Sequence, residues 1–171
     1  DVALIYDNSI FKVQKKESFA VSLYDENGFP DYTRDILLIS GALNGHLVHI
    51  IVNHWSSRRE GSRETEHKRI ASSDKVAEII SSLKLQDNNA RIVIMGDFNQ
   101  WGRMTGAMQA FGMAWQQITP GASYPSARPI ARFDRIIATP DWRYDASGVH
   151  HSALSAVASD HLPVWARLRI A

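Results

Sequence analysis

Asn44-Gly45 stands between two apolar runs, Ile36-Leu37-Leu38-Ile39 and Leu47 to Val52. Both residues tolerate the positive φ of a type I′ turn, so the pair predicts a β-hairpin with its register fixed at the turn. The signals around it alternate between strand and helix. Val2 to Tyr6 reads as a short buried strand and Phe19 to Leu23 as another, with a turn-rich connection over Asp25 to Asp31. From Ser62 to about Leu85, Val76, Ile79, Ile80 and Leu83 recur at helical spacing, leaving Lys75, Glu78 and Lys84 for solvent. Arg91 to Met95 is a buried strand running into Gly96. A shorter helix is expected around Met104, Ala107, Met108 and Phe111, then a loop over 119–131 dense in Pro, Gly and Ser. Phe133 to Ala138 reads as a strand. So does the end of the chain, where Val164, Ala166, Leu168 and Ile170 alternate with Trp165, Arg167 and Arg169. This is an α/β pattern.

Length and charge narrow the function. The 171 residues suit one domain. Lys and Arg total 19 against 18 Asp and Glu, a formal charge of +1, which excludes a polybasic nucleic-acid coat or membrane-surface tail as the main activity. A nuclease stays open, because a local basic patch can serve phosphates. Without cysteine there is no disulfide, thiolate nucleophile or Cys-ligated zinc. No apolar run approaches the roughly 20 residues that span a bilayer. Asp1 opens no signal peptide and no initiator Met precedes it, which reads as a processed or truncated start. All six lysines precede residue 98 and no Asn follows Asn99. Chance usage explains that shift, as does a junction of two related proteins near residue 97.

Four segments carry chemistry. In Gly96-Asp97-Phe98-Asn99, a strand end sets a carboxylate and an amide two residues apart, on one face if the chain stays extended, with Phe98 turned to the core. Together they can hold a hard cation and a phosphate oxygen; a turn or helix cap is the plainer use of the same residues. Ser159-Asp160-His161-Leu162-Pro163 places an imidazole beside a carboxylate, suited to acid–base work near neutrality. Asp134, in Arg132-Phe133-Asp134-Arg135-Ile136, is a lone acid in an apolar strand. It needs a partner, either a histidine that it orients or the neighbouring Arg135. Fourth, the strand ending Val52-Asn53-His54 runs into Trp55 and a loop with Arg58 and Arg59.

In their order and spacing these four segments resemble the endonuclease/exonuclease/phosphatase superfamily along the whole chain, 1–171. The resemblance implies the deoxyribonuclease-like α/β sandwich of two mixed, largely antiparallel sheets flanked by helices. It also implies metal-dependent hydrolysis of phosphate esters by attacking water. Residue by residue, it assigns His54 to phosphate contact and transition-state stabilisation, Asp97 to preparing the water and Asn99 to binding the phosphate. His161 falls to the scissile phosphate, and Asp134 to the carboxylate that holds that histidine. Asp160, with Asp97, falls to the metal, Mg²⁺ or Mn²⁺. Arg58 and Arg59 fall in the substrate-binding loop. The five other histidines, His46, His49, His67, His150 and His151, match no motif and read as surface or loop residues.

Among substrates, nucleic acid is favoured by Arg58, Arg59, Arg103 and Arg128 in expected loops. A phosphomonoester or a phospholipid head group is the alternative. Members of this superfamily open with a strand carrying an Asn, followed by a strand carrying a Glu that binds Mg²⁺. No segment here matches these; Asn8 and Glu17 have the right type in the wrong context. The expectation is therefore the C-terminal two-thirds of the domain, possessing a sheet edge open to a second chain. Weak Mg²⁺ binding follows, and with it the competing reading of a silent phosphate-binding module that needs a missing segment or partner.

Overall fold

The structure, a computed structural model, describes residues 2–25, 27–59, 61–110, 115–118 and 121–171. Its centre is the expected hairpin: β4 (Ile36–Leu43) and β5 (His46–His54) pair antiparallel, and the turn residues Asn44 and Gly45 have φ of 51° and 81°. Before them come β1 (Phe11–Phe19) and the two-residue strands β2 (Leu23–Tyr24) and β3 (Pro30–Asp31), which form a small ribbon. After them come helix α1 (Glu66–Gln86), β6 (Arg91–Asp97), β7 (Gln116–Gln117), β8 (Asp134–Ala138), β9 (Trp142–Val149), a short helix α2 (Ala153–Ala158) and β10 (Val164–Ile170). The main sheet has the order β1-β4-β5-β6-β8-β7, antiparallel except for the parallel pair β5–β6; β9 and β10 make a second, two-stranded sheet.

Two apolar layers hold the sheets and helix together. On one face, Val76, Ile79, Ile80 and Leu83 of α1 pack on Ile36, Leu38, Ile51, Ile92 and Ile94, with Trp55 and Phe98 at the end nearest the site. On the other, Ile39, Val48, Val52 and Val93 meet Trp142 and the inward residues Ala166, Leu168 and Ile170 of β10. This is the expected mixed α/β two-sheet arrangement. Burying side chains of this size contributes about 1.5–3 kcal/mol each, set against the entropy of ordering them.

Several local expectations need correction. Residues 2–6 form no strand: Val2 and Leu4 rest partly on the second layer, but Ile5 is 98% exposed and no ladder forms. The strand expected near Phe19 lies earlier, over 11–19. A bulge between Val13 and Lys15 breaks its two-residue period, and exposed Lys12, Lys15 and Lys16 mark it as a guarded sheet edge. β9 escapes the pattern for a similar reason, since its polar residues face a register shift at Arg167/Leu168. Helix α1 starts at Glu66 rather than Ser62, because residues 61–65 form a turn in which the Thr65 hydroxyl donates to the Gly61 carbonyl. Of the shorter helix, Met104 and Met108 are buried and residues 108–110 are helical; Phe111 lies outside the described residues. His49 is not at the surface: it is buried, its Nδ1 2.8 Å from the Ser40 hydroxyl. Residue 97 falls in mid-sheet, with ladder partners His54 and Asp134. No helix among the described residues is long and apolar enough to cross a membrane.

Candidate active site

Three neighbouring strands bring their functional residues to one level. His54 ends β5 and pairs with Asp97 at the end of β6, and Asp97 pairs with Asp134 at the start of β8. Gly96 makes this approach feasible. Its φ is +132°, and a Cβ there would lie 1.9 Å from the Asn53 carbonyl oxygen. Asp97 and Asn99 do meet, by a different route from simple alternation: Asn99 adopts φ +46°, and its backbone N–H donates to Asp97 Oδ1 at 2.8 Å. Its side-chain amide donates to Asp97 Oδ2 at 2.8 Å and to the Trp55 carbonyl at 3.0 Å. Phe98, fully buried, stays in the core as expected.

Asp97 Oδ2 is the focus of the site. His54 Nε2 lies 3.6 Å from it and His161 Nε2 3.9 Å. Burial pushes the Asp97 carboxyl up to about 6, and the Asp134 charge adds to this against the hydrogen bonds from Asn99. Burial, Arg34 and His161 hold His54 down at about 4, so it is neutral at pH 7. His161 moves the other way. Its Nδ1 sits 2.7 Å from Asp134 Oδ2, and that bond raises its proton affinity, with the charges of Asp134, Asp97 and Asp160 adding to it. Arg135 is not the partner of Asp134. It is buried and donates to the carbonyls of Arg132, Gln100 and Gly102, bracing the loop after Asn99.

A cleft of about 620 Å³ opens over these groups. The two arginines expected to bind substrate differ in role. Arg58 is committed to the protein: it donates to the Asn99 carbonyl and to Gln100 Oε1, each at 2.7 Å, and to the Ser62 hydroxyl. Arg59 reaches the cleft mouth, where it is paired with Asp160, so Asp160 faces a cation here and stands outside the cluster of Asp97, Asp134 and His161, whose ligand atoms lie within 4.8 Å. Both Arg59 and Asp160 line the cleft.

Sequence reasoning missed three groups of residues. Arg34 lines the cleft without an ion-pair or hydrogen-bond partner among the described residues. Its signal was the hairpin register: counted three residues past the last ladder pair, Leu37 and Val52, it sets Arg34 level with Trp55, the residue after His54. Buried Arg69 gathers Ser56 O, Ser62 O, Thr65 Oγ1 and Glu66, and so fixes the loop that carries Arg58 and Arg59. A wall of rings forms the third group. Tyr124 stacks on Phe133 at 5.4 Å and lies 4.9 Å from His161, while half-exposed Trp101 meets Phe133 edge-on at 5.1 Å.

Known structures share this architecture. A functionally unknown conserved protein from Enterococcus faecalis V583 superposes with a TM-score of 0.73 at 16% identity, over 97% of this chain and 69% of that one. A mannosyl-6-phosphatase from Bacteroides thetaiotaomicron gives 0.70 at 17%, over 96% and 69%. D. rerio TDP2, in a structure complexed with single strand DNA product, gives 0.66 at 16%, over 95% and 70%. At such identities the likeness is one of fold. A comparison with curated proteins gave no match. The sequence itself supplies the remaining link, since residues 1–114 match the Endonuclease/Exonuclease/phosphatase family. That stretch contains the hairpin, His54 and the Gly96–Asn99 turn on which the site is built, and the chain belongs to this family.

Proposed function

We propose that the protein hydrolyses phosphate esters with the help of a divalent cation, and that its substrate is a nucleic-acid phosphodiester. Family members act as nucleases or phosphatases. The observation that carries the reading is the convergence of two imidazoles and an amide on one partly buried carboxylate oxygen, beneath a cleft edged by Arg34 and Arg59. The donor chemistry suits a hard cation: the cleft offers the carboxylates of Asp97 and Asp160. Burial raises the proton affinity of Asp97, and a cation at its oxygens would oppose that rise. Asp134 is tied through Oδ2 to both His161 and Ser123, whereas Asp160 is tied to Arg59 alone, an exposed side chain that a bound phosphate would draw away. The residues to hold the cation are then Asp97 and Asp160, and when bound it supplies charge neutralisation at the phosphate.

The protein's own groups divide the remaining work. Asp97, at the focus of the site, orients the attacking water and takes up its proton. Neutral His54 offers a hydrogen bond to a phosphate oxygen. His161, whose proton affinity its bond to Asp134 raises, turns Nε2 toward the site where negative charge grows. Asn99 orients Asp97 and lies against the bound phosphate, while Arg34 and Arg59 receive the phosphate charge. Arg58 acts on substrate through the Asn99 turn that it clamps.

Nicking of supercoiled plasmid in Mg²⁺ or Mn²⁺, compared with EDTA, tests this. Expected is metal-dependent nicking by the wild type and none by Asp97→Ala with folding retained. Nicking that survives EDTA or Asp97→Ala refutes the mechanism. An intact plasmid together with turnover of a sugar phosphate reassigns the site to a phosphomonoesterase. Inactivity on both, with inorganic phosphate still bound in calorimetry, identifies a silent phosphate-binding module.

A further inference from the structure

We propose that Ser123 is a positioning residue for the Asp134–His161 pair. The inference rests on the hydrolytic reading above. Ser123 is fully buried and does not line the cleft, so it cannot touch substrate. Its hydroxyl donates to Asp134 Oδ2, the same oxygen that faces His161 Nδ1 at 2.7 Å. Its backbone joins the two segments that carry this pair. The Ser123 N–H donates to the carbonyl of Ala131, three residues before Asp134, at 2.9 Å. The Ser123 carbonyl accepts from the N–H of Leu162, next to His161, at 2.8 Å. One residue thus ties the Asp134 strand, the His161 loop and the Asp134 carboxylate together.

Two donors on one oxygen have a definite effect. A carboxylate held by a single bond can turn about its last torsion and offer either oxygen. With the hydroxyl on Oδ2 as well, that oxygen stays aimed at Nδ1. The histidine then keeps its proton on Nδ1, and Nε2 stays toward Asp97 Oδ2, 3.9 Å away. Such supporting hydrogen bonds govern both the tautomer and the aim of the working imidazole. The adjacent Tyr124 ring, centred 4.9 Å from the His161 ring, closes the other side.

Ser123→Ala removes only the hydroxyl and leaves both backbone bonds, so it isolates the proposed role. On bis(p-nitrophenyl) phosphate with Mn²⁺, kcat should fall about 10- to 100-fold at unchanged KM. Ser123→Thr, which restores the hydroxyl, should recover most of it. A second readout needs no turnover. The carboxylate-bound Nδ1 proton of His161 should give a far-downfield NMR line in the wild type that shifts or broadens in Ser123→Ala and returns in Ser123→Thr. An unchanged line in Ser123→Ala overturns the proposal, and so does an unchanged kcat. If the wild type cleaves no phosphate ester, the hydrolytic reading fails while the NMR line still decides what Ser123 does.

Discussion

Replacing Asp97 by Asn should stabilise the metal-free protein as it destroys activity. The carboxyl is only 15% exposed and is pushed up to about 6, chiefly by burial. Raising it from the ordinary value of about 3.9 to that level corresponds to about 3 kcal/mol of opposition to its ionisation in the fold, at 1.36 kcal/mol per decade. The sign follows from linkage. A group whose folded value is raised contributes stability below its unfolded value, and this is lost as pH rises through the folded one. Asp97 therefore weakens the wild type between about pH 4 and 6 and leaves it weaker by a constant amount above. Asn cannot ionise and avoids this. It keeps an oxygen for the Asn99 N–H but turns an N–H₂ toward the Asn99 amide, losing one hydrogen bond worth about 1 kcal/mol. Urea titrations of both proteins in EDTA should show the variant about 1 kcal/mol less stable at pH 3.5 and about 2 kcal/mol more stable at pH 7. At neutral pH that gain amounts to about 4–8 °C in Tm for a chain of this size. Adding 10 mM Mg²⁺ should narrow the gap, since a cation bound with millimolar affinity stabilises only the wild type, by about 1.4 kcal/mol. A difference that does not vary with pH, or a variant less stable at pH 7, refutes the argument.

Other outcomes follow from neighbouring contacts. Asp134→Asn should lower the proton affinity of His161, seen as a downward-moved NMR titration, and cut kcat by about 100-fold or more; an unmoved titration counts against the pairing. Gly96→Ala should cost about 3 kcal/mol or more, measured by urea unfolding, because its Cβ meets the backbone of β5. Arg34→Ala should raise KM about 10-fold with little change in kcat or Tm, since this arginine binds no protein group among the described residues. Calorimetry on the chain alone should find Mg²⁺ binding on the order of millimolar, as two carboxylates are few for a hard cation; micromolar affinity would show that further ligands complete the site.

The chemistry of this molecule is more legible in its sequence than its edges are, for a physical reason. Asp97 and His54 end apolar strands and Asp134 begins one, and a polar residue at such a boundary has no packing role to explain it; Asp-His before a proline stands out in the same way. β1 and β9 hide because a bulge shifts the two-residue period on which strand detection rests, and because edge strands carry charge on purpose. Arg58, Arg69 and Arg135 are hidden differently. As letters they look like solvent or substrate arginines, yet each gives donors to protein groups that include a loop's backbone carbonyls, and no pattern of residue types reveals which carbonyls a loop will present. Arg34 lies between these cases. Once Asn44-Gly45 fixes the hairpin, counting along it sets Arg34 level with Trp55, the residue after His54, so a turn that shows no chemistry of its own determines which arginine reaches the cleft. Local residue type finds the groups that react, and register finds the groups that assist them. Only tertiary structure separates an arginine that binds substrate from one that holds the loop beside it.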